Sequence, residues 1–212
     1  MEKTVIDYAD FAEYDRRQRG IQRHMLAAFL GGLAVGLLGM LLTRWSFVGE
    51  FYDPYAYLAL AIAVGATASG FGWALLTTFL AAVSTLVAAM GGSALQGEFD
   101  FDAIGGSPIG LNVLLVLLVA LGLLAYVTRR ADGWGDLAAG AISGVLLSDV
   151  IDRATPGFVD SQVAFWPAPA LVIGALSVGL VLLLRRSTAG RLRAGGVALI
   201  LAGVFALGVL TG

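Results

Sequence analysis

The sequence predicts an all-α protein: a polytopic bundle of transmembrane helices, seven spans in all, with the N-terminus inside and the C-terminus outside. Three observations carry this. Apolar residues fill 58% of the 212 positions and charged residues only 13%, about half the roughly 25% usual in soluble domains. Charge-free stretches long enough for a hydrocarbon core of about 30 Å, roughly 20 residues at 1.5 Å each, recur along the chain. The cations gather in alternate connections between those stretches. A mean hydropathy of +0.87 leaves too little polar surface to cover a water-soluble globule, which excludes a soluble enzyme and a disordered chain. A pI near 5.3 removes the basic footprint of a nucleic-acid binder.

Residues 1–23 form a polar segment, VIDYADFAEYDRR at its centre, with Lys3, Asp7, Asp10, Glu13 and Arg17 on one helical face and Val5, Ile6, Ala9 and Ala12 opposite. It is too polar for a signal-peptide core, and no small-x-small cleavage site follows, so the first span, 24–43, reads as an uncleaved anchor. The stretch 54–97 would measure about 66 Å as one helix, twice the hydrocarbon thickness. It is expected to fold back at Ser69-Gly70-Phe71-Gly72, where two glycines allow a tight reversal, giving spans 55–70 and 73–90. Spans follow at 109–128, 135–152, 167–184 and 194–211, making 24–212 one bundle. Pro156, Pro167 and Pro169 stiffen the approach to 167–184. Six spans is the alternative if 54–97 crosses once.

Charge placement separates the two. With the hairpin and an inside N-terminus, Lys3, Arg16, Arg17, Arg19, Arg23, Arg129, Arg130, Arg185, Arg186, Arg191 and Arg193 lie inside, leaving Arg44 and Arg153 outside. This satisfies the positive-inside rule. Without the hairpin, Arg129, Arg130 and the arginines from 185 to 193 would cross to the outside. The expected location is the cell membrane.

Inside lipid, helices associate by close backbone packing, and small residues four apart permit it. Such pairs occur at Gly32/Gly36, Ala61/Gly65/Ser69, Gly140/Gly144, Ala175/Gly179 and Ala198/Ala202/Ala206. They predict a compact bundle and leave the oligomeric state open, a second copy of the chain being one allowed partner.

The residue inventory narrows the chemistry. There is no cysteine, one histidine (His24) and one lysine (Lys3), so a thiolate metal site, a bis-histidine haem and a retinal Schiff base on a late helix are excluded within one chain. No cofactor is expected. No Lys, Arg, Glu or His lies near a span centre, which argues against a proton relay or voltage sensor. Gly133-Trp134-Gly135-Asp136 matches the GxGD signature of intramembrane aspartyl proteases and prepilin peptidases. That chemistry needs a second aspartate on another helix at the same depth, and none is present. Asp136 therefore reads as a helix N-cap. Ile142-Ser143-Gly144 resembles a rhomboid serine motif but lacks a credible base, since His24 lies at the lip of the first span. No catalytic constellation emerges, and the chain is read as not an enzyme.

Two surfaces remain. The span 135–152 repeats Asp136, Gly140, Gly144, Ser148 and Asp152 every four residues, giving one small, polar face. Ser143, Ser148, Asp149 and Asp152 are its candidate solute path, and a permease for a neutral or cationic solute is the alternative function. The outer loops are acidic and aromatic, with Glu98, Phe99, Asp100, Phe101 and Asp102 as a candidate partner surface; Asp100 and Asp102 lack the spacing of a calcium loop. The leading expectation is a non-enzymatic membrane protein, surrounded by bilayer lipid, that engages a protein or lipid partner through this outer face or through the N-terminal segment.

Overall fold

The computed structural model describes residues 8–42, 46–95, 108–158, 161–162 and 165–211. Every regular element among them is helical: α1 (Tyr8–Leu42), α2 (Ser46–Tyr52), α3 (Tyr55–Thr67), α4 (Phe71–Leu95), α5 (Pro108–Val127), α6 (Gly133–Ala154), α7 (Ala168–Leu184) and α8 (Thr188–Thr211). Five of these, α1, α4, α5, α6 and α8, are long and apolar enough to cross a membrane, and α3 and α7 are shorter apolar helices. Each expected span coincides with one helix to within a few residues, apart from the lengthened ends of α1, α4 and α8.

The side chains are distributed as lipid requires. The buried positions are largely small, including Ala28, Ala61, Ala81, Ala139, Ala194 and Ala198, whereas Leu37, Phe79, Val116, Leu176, Leu199 and Leu207 face outward. A bundle in water would bury the larger groups, because their removal from water is worth more. In hydrocarbon that preference disappears, and the interior fills instead with whatever lets backbones approach.

The helices group into two sets. In the first, α4 packs between α1, α3 and α5, and α3 also lies along α5; in the second, α6 packs against α7 and α8. The joint between the sets is a core of Tyr55, Leu58, Leu118, Leu121, Ile142, Leu146, Phe165 and Ile173, drawn from α3, α5, α6, the segment before α7, and α7 itself.

The glycine pairs have specific partners. Gly32 and Gly36 of α1 lie against Ser84, Ala81, Thr85 and Ala88 of α4, so a Cβ at either would overlap that helix. A Cβ at Gly65 would overlap the Gly122 carbonyl, and one at Gly122 would overlap the Thr78 side chain, which brings α3, α4 and α5 together at one level. Gly140 and Gly144 seat α8 through Ala194, Val197, Ala198 and Leu201. The expectation for Ala175/Gly179 fails: Ala175 is exposed and a Cβ at Gly179 would meet nothing within 4 Å. Helix α7 touches α6 through the opposite side, where Ile173, Ser177 and Val181 are buried.

The α3–α4 reversal occurs where the 54–97 stretch required one, but by other means. It falls at Ala68–Gly70, with Ala68 extended (φ −63°, ψ 145°). The one positive-φ residue described is Gly157, so neither Gly70 nor Gly72 uses glycine's special backbone freedom. Gly72 belongs to α4 and a Cβ there would meet open space.

Gly65→Leu is therefore expected to disrupt the α3–α5 contact, losing about 1–3 kcal/mol or more through overpacking, whereas Gly72→Ala leaves thermal unfolding in detergent unchanged. Equal melting temperatures for the two variants would contradict this packing.

Candidate functional site

Four long-range hydrogen bonds and one local one gather the arginine-bearing turns at one end of the bundle. His24 of α1 hydrogen-bonds Thr67 of α3 at 3.0 Å. Arg129, just after α5, donates to the Ala68 carbonyl in the α3–α4 turn. Arg185, just after α7, donates to the carbonyls of Thr128 (2.9 Å) and Arg130 (3.0 Å) in the α5–α6 turn. Arg191 of α8 returns to the Arg185 carbonyl at 2.9 Å.

At the centre of this end lies a buried ion pair. Arg185 Nη2 sits 2.5 Å from Asp136 Oδ1, and the two side chains are only 8% and 6% exposed. Arg185 directs hydrogen bonds to the turn carbonyls, reaching Asp132 at 3.3 Å as well, and Oδ1 of Asp136 gains charge compensation without a well-directed hydrogen bond. Arg193 approaches the other oxygen at 3.4 Å from a side chain that is 68% exposed. Asp136 is thus not the N-cap that its position suggested. The cap is Asp132, whose Oδ1 accepts from the Gly135 N–H at 3.2 Å. Gly135 is required beside it, since a Cβ there would overlap the Arg130 carbonyl and lie 2.7 Å from Arg185 Nη1. Within GWGD, the acid is held by arginine. The hydrogen bond from Arg130 keeps the exposed Asp132 carboxyl below its ordinary pKa, with the Gly135 bond acting in the same direction.

The opposite end holds the candidate outer acids. Tyr55 donates its hydroxyl to Asp149, and Arg153 bonds the same carboxylate at 3.2 Å. Arg153 also lies 5.9 Å over the ring of buried Phe165, which stacks on Tyr55 at 6.3 Å. Asp152, on the same helix as Asp149, is also buried. These groups bind α3, α6 and the segment before α7 into one layer, so Asp149 is a structural acceptor at this end. Tyr52 donates to the Val35 carbonyl at 2.7 Å, and burial raises the pKa of its phenol.

The expected polar face of α6 is largely covered. Ser143 is 0% exposed and its hydroxyl has no hydrogen-bond partner, not even a nearby backbone carbonyl. Ser148 makes such a bond, to Gly144 at 2.9 Å. Gly140 and Gly144, between Asp136 and Ser148, lie under α8. Close packing to α8 needs the same small residues that a solute path would need, which explains why periodicity alone did not separate them. Glu98, Phe99, Asp100, Phe101 and Asp102 lie outside the described residues.

Among the grooves that the described residues form, two run along the apolar helices. One, of about 640 Å³, runs between α6 and α8 and is lined by Trp134, Asp136, Leu137, Leu192, Arg193, Gly196, Val197 and Ile200 among others. The second, of about 280 Å³, is a predominantly apolar cleft lined by Tyr55, Leu58, Ile62, Ala63, Leu146, Ile173 and Leu176 with their neighbours on α3 and α7. Among the described residues, no cluster of three or more His, Cys, Asp or Glu side chains is placed to hold a metal ion. Arg185 and Trp134 were not singled out from the sequence as site residues. Arg185 acquires its role only by reaching back to turns more than 50 residues earlier.

Comparison with protein-family models, with curated proteins and with solved structures gives no match.

Breaking the buried pair on one side, by Asp136→Asn or Arg185→Gln, is expected to destabilise the bundle by about 3–5 kcal/mol. The double change Asp136→Leu/Arg185→Met costs less than the sum, measurable as a coupling in thermal or denaturant unfolding. Because the folded Asp132 pKa is lowered, its contribution is present above the ordinary carboxylate range and is lost as pH falls through the folded value. Asp132→Ser keeps a capping oxygen without the charge and should flatten that acid-side loss. An unchanged pH profile in Asp132→Ser would remove Asp132 as its source.

Proposed function

We propose that the chain is a seven-span protein of the cell membrane, with its arginine-rich end inside, that presents the N-terminal part of α1 as a rigid docking rod for a protein partner. The observation that carries the reading is the continuity of α1. Its 35 residues from Tyr8 to Leu42 form one helix, about 52 Å long against a hydrocarbon core of about 30 Å. About 15 residues therefore stand clear of the bilayer, and residues 13–20 are exposed throughout.

The surface of this rod supports a protein partner rather than a solute. It carries Glu13 and Asp15 alongside Arg16, Arg17 and Arg19, with an intrahelical Arg19–Asp15 ion pair, so no single sign dominates. Its acids weaken attraction to anionic lipid. Tyr14, Arg17, Gln18, Ile21 and Met25 line a groove of about 420 Å³ with Trp73 at the start of α4. A partner helix laid there would touch both the rod and the bundle. The acidic, aromatic sequence of residues 98–102 makes that segment a second candidate for the same role. Closure of the α6 face beneath α8 favours this reading over the permease.

The seven-span topology is supported by the contacts that place His24, Arg129 and Arg185 at one end and the Tyr55–Asp149 layer at the other. Helix α3 has 13 residues, about 20 Å, so it crosses only with the help of its flanking turns or a locally thinner bilayer.

Accessibility labelling of tags at both ends should find the N-terminal tag inside and the C-terminal tag outside. A photo-crosslinker at Gln18 should give a discrete protein adduct in native membranes, absent when the crosslinker sits at outward-facing Leu199. Lipid-only adducts at Gln18 would sink the docking role, and both tags on one side would sink the topology.

A further inference from the structure

We infer that the groove between α6 and α8 is a seat for one anionic phospholipid, whose acyl chain lies along Leu137, Val197 and Ile200 and whose phosphate meets Arg193. The inference rests on the reading that α6 and α8 cross the membrane, and it concerns a surface separate from the N-terminal rod.

The groove combines two properties absent from the α3–α7 cleft as a pair. Its body is apolar and follows two membrane-crossing helices, and its head lies at the arginine-rich end. Three charged groups meet there: Asp136, Arg185 and Arg193. Arg185 is buried against Asp136 at 2.5 Å and matches its charge. Arg193 then leaves the head with a net charge of +1, on a side chain that is 68% exposed and able to turn toward a headgroup. Trp134, also at this end and 66% exposed, offers the amphipathic ring that settles at headgroup level. A basic recess between helices at the inner leaflet selects anionic headgroups, each nearby arginine being worth about 1 kcal/mol.

The width of the groove depends on Gly196. It lines the groove, and a Cβ built there would meet no atom within 4 Å. The α6–α8 contact is made instead through Gly140, Gly144, Ala194 and Ala198. Gly196 therefore serves neither close packing nor a special backbone angle, and a larger side chain would occupy the space assigned to the acyl chain without displacing α8.

The test reconstitutes the full chain in nanodiscs of equal phosphatidylglycerol and phosphatidylcholine, releases it into mild detergent and quantifies co-purifying lipid by native mass spectrometry. The wild type should retain one phospholipid, with phosphatidylglycerol enriched about fivefold over phosphatidylcholine, the factor corresponding to about 1 kcal/mol. Arg193→Gln should retain lipid at the bulk ratio. Gly196→Leu should lose the retained lipid while melting as the wild type does. Ala63→Phe, in the α3–α7 cleft, should leave the phosphatidylglycerol enrichment unchanged. Absence of enrichment in the wild type, or its persistence in Arg193→Gln, would overturn the seat; the exposed Arg193 site keeps the test decisive even if Gly196→Leu fails to fold. Recovery of the chain outside the membrane fraction would instead overturn the membrane reading beneath it.

Discussion

Backbone-to-backbone approach at Gly65 and Gly122 is the constraint on which the rest of the bundle depends. Neither position has room for a Cβ, so the main chains of α3 and α5 nearly touch, and the Thr78 side chain of α4 closes the third side. In an apolar solvent no hydrophobic force pulls helices together, and such contacts must supply the association through dispersion and fit. The same solution recurs where Gly32 and Gly36 meet α4 and where Gly140 and Gly144 meet α8. The alanine-rich interior follows from it, as does the outward display of leucine, valine and phenylalanine.

The polar groups act at the two ends, where helices leave the region in which close fit alone suffices. Arg185 and Asp136 lock the α5–α6 and α7–α8 connections together at one end, and Tyr55, Asp149, Arg153 and Phe165 tie α3, α6 and the segment before α7 at the other. A buried arginine–carboxylate pair adds modest net stability, because both ions give up hydration, but it penalises any arrangement that separates them. These locks therefore serve to fix which turns are neighbours. Two features stand apart from these locks and carry the binding roles proposed above: the N-terminal part of α1, exposed over residues 13–20, and the α6–α8 groove lined by Arg193.

The same chemical features that suggest function in this chain also meet structural needs. An aspartate in GWGD, a four-residue stripe of glycine and serine, and acids at a helix end each suggest a reactive or conducting site. The aspartate is held by Arg185, the stripe seats α8, and Asp149 accepts from Tyr55 and Arg153. Conversely, nothing in the sequence pairs Gly196 with Trp134, because they are 62 positions apart and become neighbours only across the α6–α8 groove.

Composition and periodicity by themselves determined the helical class, the position of each apolar helix and the need for a reversal near residue 70. Helix length and solvent preference are local properties, set by runs of side chains against a fixed hydrocarbon thickness. Only the tertiary structure decided which small residues touch: Gly140 and Gly144 are covered by α8, whereas Ala175 is exposed and Gly179 has no neighbour that a Cβ would meet, although both pairs share one spacing. It also decided that Asp132 caps α6 while Asp136 pairs with an arginine 49 residues away. Spacing fixes the face on which a residue lies, but the partner of that face depends on how the other helices cross, and that choice is made by the whole bundle at once.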